Sequence, residues 1–179
     1  MGQQHAASLK ETSLCRLLSD AETAEIAFIM QERKVPARKE LFHDGAPADG
    51  LYLVVSGEFE VVKRAGQRER ELQRLGSGAI FGAISLLTRE PRTASARACV
   101  DSQVLLLPHD PFQALLRAGS PAALKIVACI AEVIAQRLAA ANAKLVELAD
   151  RVESAEEAPA RPGERELIEL QRKLQVWSF

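Results

Sequence analysis

Between residues 41 and 107 short apolar runs alternate with turns. Leu51, Leu53 and Val55 fall on one side of an extended segment, Tyr52 and Val54 on the other, and Gly57 ends the run. A second strand through Phe59, Val61 and Val62 follows, and Gly66 breaks it. Glu69–Leu75, Thr93–Val100 and Ser102–Leu107 continue the series. Seven of the ten glycines (45, 50, 57, 66, 76, 78 and 82) lie inside this region. Many short strands between glycine turns predict a roll or sandwich rather than a parallel sheet. One stretch breaks the period: Ile80 to Leu87 shifts to helix-like spacing for one or two turns before Glu90-Pro91-Arg92-Thr93-Ala94 re-enters the sheet. A short helix embedded in a β-roll is the expectation.

The flanks read as helices. Ser8–Leu18 and Asp20–Gln31 predict two short ones, the second with Asp20 as N-cap and Glu22 near its positive end. From Ala122 to Ala158 there is neither Gly nor Pro, which predicts one long helix, assigned to 121–152 within a domain spanning 20–152. Residues 1–19 form an N-terminal helical segment and 153–163 a linker containing Pro159, Pro162 and Gly163. Residues 164–179 are expected to form a short amphipathic helix with Leu167, Leu170, Leu174 and Trp177 on one face.

Along the long helix Leu124, Val127, Ala131, Ile134, Leu138, Ala141, Leu145 and Leu148 recur at alternating spacings of three and four. This is an a/d seam, and it implies a partner helix and a homodimer. Ile126, Ile130 and Val133 lie off the seam and are expected to pack on the roll. The alternative is a single-chain helix whose apolar stripe is covered by the roll and the final segment.

Composition narrows the function. The chain has 179 residues, 47% of them hydrophobic and 26% charged, with 23 Lys+Arg against 24 Asp+Glu. That is one domain with appendages, and a charge of −1 disfavours gripping nucleic acid by bulk electrostatics. The longest uncharged stretch, Leu75–Thr88, is broken by three glycines and too short to span a bilayer, so no membrane partner is expected. No secretory h-region precedes it, and Cys15, Cys99 and Cys129 suit reduced, core-filling thiols, which places the protein in the cytoplasm. His5, His43 and His109 are isolated, the latter two read as loop residues, and no triad or metal-ligand spacing occurs. The expectation is no catalysis, no metal and no cofactor. The stretch after the long helix is short and net acidic, which argues against a DNA-reading module.

The short helix near Gly82 carries the candidate chemistry. Its opening amides lack intrahelical partners, and Gly82 has no Cβ to keep a ligand away. Arg92 brings a planar five-donor guanidinium and Thr93 a hydroxyl, so a phosphate would satisfy the set. The competing reading leaves Arg92 on the surface near Glu90 and Gly82 in an ordinary turn.

Phe81-Gly82-Ala83-Ile84-Ser85-Leu86-Leu87 followed by Pro91-Arg92-Thr93-Ala94 resembles the phosphate-binding cassette of cyclic nucleotide-binding domains. Leu41-Phe42-His43-Asp44-Gly45 with Leu51 to Gly57 is similar to the first hairpin of that family. The resemblance implies an α+β fold, a jelly-roll-like β-roll with short N-terminal helices and a long C-terminal dimerisation helix. It is that of a catabolite activator-like effector domain without the DNA-binding module. It further implies a non-enzymatic regulatory module that senses a cyclic mono- or dinucleotide, or a related phosphate ligand, and signals to a protein partner. Ligand contacts are expected at Gly82, Ala83, Ile84, Ser85, Arg92 and Thr93. Asn142 stands about where relatives of the activator type reach the base. The family places a ribose-binding glutamate directly after the glycine, and here that residue is Ala83, which weakens or alters ribose recognition. The alternative is a degenerate domain that binds no nucleotide and serves as a dimeric scaffold.

Overall fold

A computed structural model describes Ala6, Leu9, residues 12–66 and residues 68–156. The amphipathic segment predicted at 164–179 lies outside the described residues. The chain divides into two compact units, one up to Val133 and one from Ile134 onward.

In the first unit, Ser13–Cys15 makes a single 3-10 turn within the span of the predicted first helix. Helix α1 (Asp20–Ile29) follows. Its N-cap is Ser19, not Asp20: Ser19 Oγ accepts from the Glu22 amide at 3.3 Å, and Glu22 Oε2 accepts from the Ser19 amide at 2.7 Å. This capping box satisfies two amides at once, which a cap at Asp20 would not do. The helix ends at Ile29 because Gln31 already belongs to a strand.

Among the described residues, eight strands form two four-stranded antiparallel sheets. They are β1 (Gln31–Val35), β2 (Glu40–Phe42), β3 (Gly50–Ser56), β4 (Phe59–Ala65), β5 (Arg68–Leu75), β6 (Ile80–Phe81), β7 (Ser95–Ala98) and β8 (Ser102–Pro108). The first sheet has the order β1-β8-β3-β6 and the second β2-β7-β4-β5. Their facing sides meet in a core of Val35, Tyr52, Val54, Phe59, Leu75, Phe81, Ala96, Ala98, Val104 and Leu106. The reverse side of the first sheet is buried as well, at Leu51, Leu53, Leu105 and Leu107. Helices cover it, which is why β3 and β8 read as continuous apolar runs.

Helix α2 (Ala83–Thr88) packs on β3, and helix α3 (His109–Arg117) packs with α1 against β8. His109 is therefore not a loop residue but the buried first residue of a helix. Helix α4 runs from Pro121 to Glu156, four residues past the 152 boundary read from the sequence. In its first-unit portion Ile126 and Ile130 are fully buried, as the off-seam positions predicted, and Val133 is half-buried. Lys125 reaches Glu22 at 2.7 and 2.8 Å and Arg16 reaches Glu132 at 2.8 Å, tying the N-terminal elements to α4. Cys15 and Cys129 are buried free thiols, whereas Cys99 is only half-buried. Among the described residues no single helix is long and apolar enough to cross a membrane.

Candidate functional site

The site is built where β6 gives way to α2. Gly82 joins them in the left-handed conformation, φ 74° and ψ 18°, which a residue with a side chain reaches only at a cost of about 1–2 kcal/mol. The turn starts α2 immediately after the aromatic core at Phe81. Ala83 and Ser85 face inward and are buried, while Ile84 is exposed.

Four residues beyond α2 the chain returns through Arg92. Its backbone is clamped to the opposite loop, with the Arg92 amide donating to Ala46 O at 2.9 Å and the Gly45 amide donating to Arg92 O at 2.7 Å. Thr93 is exposed, and its carbonyl accepts from Lys63 Nζ at 2.7 Å. The same ammonium binds Asp44 at 2.9 Å, so β4 pins the exit of the segment.

The Arg92 side chain turns inward, not to the surface, and the residue is 3% exposed. Its guanidinium carbon lies 4.3 Å from the centre of the Phe42 ring and 5.3 Å from that of Tyr52, a cation–π setting. Nη2 donates to Gly50 O at 2.8 Å and to Asp49 Oδ1. Nε and Nη1 are buried and have no partner among the described residues. Leaving buried donors unmet costs about 1–3 kcal/mol, so these two atoms are the chemically unfinished part of the site.

Asp49 is the hub of a wider cluster. The Tyr52 hydroxyl donates to its Oδ2 at 2.6 Å, and Arg33 Nη1 donates to the same oxygen at 3.0 Å and to the Tyr52 oxygen at 2.7 Å. Burial alone would raise the Asp49 pKa, but the bonds from Tyr52 and Arg92 outweigh it and hold the carboxyl below its usual value. Burial and the neighbouring carboxylate push the Tyr52 phenol well up. Asp49 also lines an open cleft of about 610 Å³ with Arg89, Pro91, His109 and Asp110 among its walls. Arg89 Nε donates to His109 Nδ1 at 3.0 Å and its Nη2 pairs with Asp110, joining the end of α2 to the start of α3.

The predicted Gly82, Ala83, Ile84, Ser85, Arg92 and Thr93 thus belong to one segment of the first unit. Asn142 is an exposed residue of the second unit. Of the seam positions, Leu124, Ala131, Leu138, Ala141, Leu145 and Leu148 are exposed, and Val127 and Ile134 are half-buried. Sequence reasoning missed Asp49, Tyr52, Phe42, Arg33 and the Gly50 carbonyl. A signal existed for one of them: Asp49 stands directly before the apolar run of β3, where a carboxylate must be either solvated or paired. No group of residues able to hold a metal ion occurs among the described residues.

Residues 32–118 match the cyclic nucleotide-binding domain family. Over 134 residues the chain is 39% identical to glutaminase 2 of Bradyrhizobium diazoefficiens, covering 72% of this chain and 20% of that protein. Over 139 residues it is 34% identical to the cyclic AMP receptor protein of Thermus thermophilus, covering 76% of this chain and 62% of that one. The chain spans less than two thirds of either relative. The crystal structure of the Thermus thermophilus catabolite activator protein superposes with a TM-score of 0.70 at 32% identity, over 77% of this chain and 63% of that one. The two-sheet roll, the Gly82–Arg92 segment and these matches together place the chain in the cyclic nucleotide-binding domain family.

Proposed function

We propose that this chain is a non-enzymatic regulatory module that takes a cyclic mono- or dinucleotide, or a related phosphate ligand, at Gly82–Ser85, Arg92 and Thr93. The observation that carries the reading is the buried Arg92 guanidinium with Nε and Nη1 unpartnered beside Gly82. A phosphate oxygen supplies the acceptor those donors lack, and charge assistance makes such bonds about twice as strong as neutral ones. Ala83 offers a methyl group where an acceptor for a ribose hydroxyl would stand, so the sugar is held differently from the phosphate. Ligand binding shifts the module's output to a protein partner by no more than its differential affinity for the two states.

Titration calorimetry with cyclic AMP, cyclic GMP and cyclic dinucleotides tests this, repeated on Arg92→Lys and Arg92→Ala. The expected result is heat with at least one ligand, weakened by lysine, which keeps the charge but loses the fork, and abolished by alanine. Absence of heat with every ligand favours the second reading, a dimeric scaffold that kept the fold and the seam of α4. The exposed Leu138, Leu145 and Leu148 support that reading independently of any ligand.

A further inference from the structure

Arg92 does not face its ligand alone. Asp49 binds its Nη2, and Arg33 binds Asp49 from the other side. Two guanidiniums therefore share one carboxylate, and the Tyr52 hydroxyl, which bonds to Arg33 and Asp49, is uncharged because its phenol is pushed up. The cluster carries one net positive charge. The next charged groups along the same cleft, Arg89 and Asp110, pair with each other, and Lys63 beyond Thr93 pairs with Asp44, so neither adds to that count.

We infer that Asp49 is a specificity-determining residue that sets the charge of the anion this site accepts, favouring a singly charged phosphodiester over a doubly charged phosphomonoester. This rests on the ligand reading above. A phosphodiester brings one negative charge and neutralises the cluster. A phosphomonoester above pH 7 brings nearly two, and the second falls beside the Asp49 carboxylate with no cation left to meet it. Asp49 is 38% exposed at its side chain and keeps its charge, so solvent screens that repulsion in part without removing it. Shape complementarity to the ring of a cyclic phosphate is not needed for this discrimination; the carboxylate alone supplies it.

The test compares binding of adenosine 3′,5′-cyclic monophosphate and adenosine 5′-monophosphate at pH 8 to the full chain, to Asp49→Asn and to Arg33→Gln. A unit charge a few ångströms away in a partly exposed setting is worth on the order of tenfold in affinity per unit of ligand charge. Asp49→Asn is expected to strengthen the monoester about tenfold more than the cyclic diester. Arg33→Gln, which leaves Arg92 and Asp49 in place, is expected to move the ratio about tenfold the other way. A misplaced Arg92 takes a positive charge away from the ligand and weakens the monoester more than the diester, the opposite of the change expected for Asp49→Asn, so the ratio in Asp49→Asn separates charge selection from structural damage. Thermal unfolding of each variant verifies that it is folded. If the cyclic diester binds all three proteins and the ratio does not change, the charge filter is wrong and the ligand reading stands. If neither nucleotide binds the parent chain or Asp49→Asn, the ligand reading itself fails and takes the filter with it.

Discussion

Gly82 and Arg92 touch so closely that a methyl group on Gly82 would lie 2.2 Å from Arg92 Nη1. The glycine is thus required twice, for its left-handed backbone and for the space the guanidinium occupies. Gly82→Ala must either push Arg92 off the Phe42 ring or distort the start of α2. The expected outcome is a destabilisation of about 2–4 kcal/mol, summing the backbone penalty and a displaced buried side chain. Loss of nucleotide binding should accompany it. Chemical denaturation with parallel calorimetry checks both, and a variant with unchanged stability and binding would show that Arg92 does not depend on this contact.

Ala83 gives a gain-of-function prediction. A glutamate here would stand at the opening of α2, directly after the turn. In Ala83→Glu the new carboxylate should accept a hydrogen bond from a ribose 2′-hydroxyl, worth about 1.5–3 kcal/mol before repulsion from the ligand phosphate is subtracted. Cyclic AMP affinity should rise by about tenfold, and 2′-deoxy cyclic AMP should gain nothing. The paired titrations isolate the hydroxyl contact. Equal gains for both nucleotides would place the ribose elsewhere.

These two positions were legible from residue order alone, because a helix break at a glycine and an arginine a few residues later are both local features. So were the alternating strands and the long glycine-free helix. Other parts were hidden for definite reasons. β1 reads Gln-Glu-Arg-Lys-Val, with only Val35 buried, so an edge strand paired to β8 looks like a polar loop. α3 carries Pro111 in its first turn, where the missing amide does no harm but masks the helix start. The Asp49–Arg92 pair joins residues 43 apart in sequence, and only the crossing of β3 by the return from α2 brings them together. Burial of Arg92 was beyond any local pattern, since arginine is ordinarily exposed and its place here is set by two aromatic rings from separate strands.

The seam of α4 supplies a prediction independent of the ligand. Leu138 and Leu145 are 60% and 64% exposed, one heptad apart, and large apolar side chains in such a row are stable in water only when covered. The chain is expected to sediment as a dimer. Leu138→Glu combined with Leu145→Glu should convert it to a monomer, because two carboxylates at a positions face two more across the interface. The fold of the roll should survive, since neither residue belongs to its unit. A parent chain that stays monomeric at high concentration would remove the dimer and leave the stripe to be covered within the chain.

Glu22 makes an acid-sensitive clasp. Hydrogen bonding by Lys125, followed by the Ser19 amide of the capping box, holds its pKa at about 2, far below the ordinary value near 4.3. A carboxyl depressed in the folded state stabilises the fold above its unfolded pKa and loses that contribution as pH falls through the folded one. The stabilisation from Glu22 should therefore be complete above about pH 5 and fade between about pH 4 and pH 2. Glu22→Gln should lower the melting temperature at pH 7, and the gap between variant and parent should close across that acid window. Lys125→Met should shrink the pH-dependent part while leaving the cap intact, because Ser19 and Glu22 still exchange their two backbone bonds. Melting curves of the three proteins from pH 7 to pH 2 give the comparison. A gap between parent and Glu22→Gln that stays constant with pH would mean that the carboxylate charge contributes nothing and that the cap works through geometry alone.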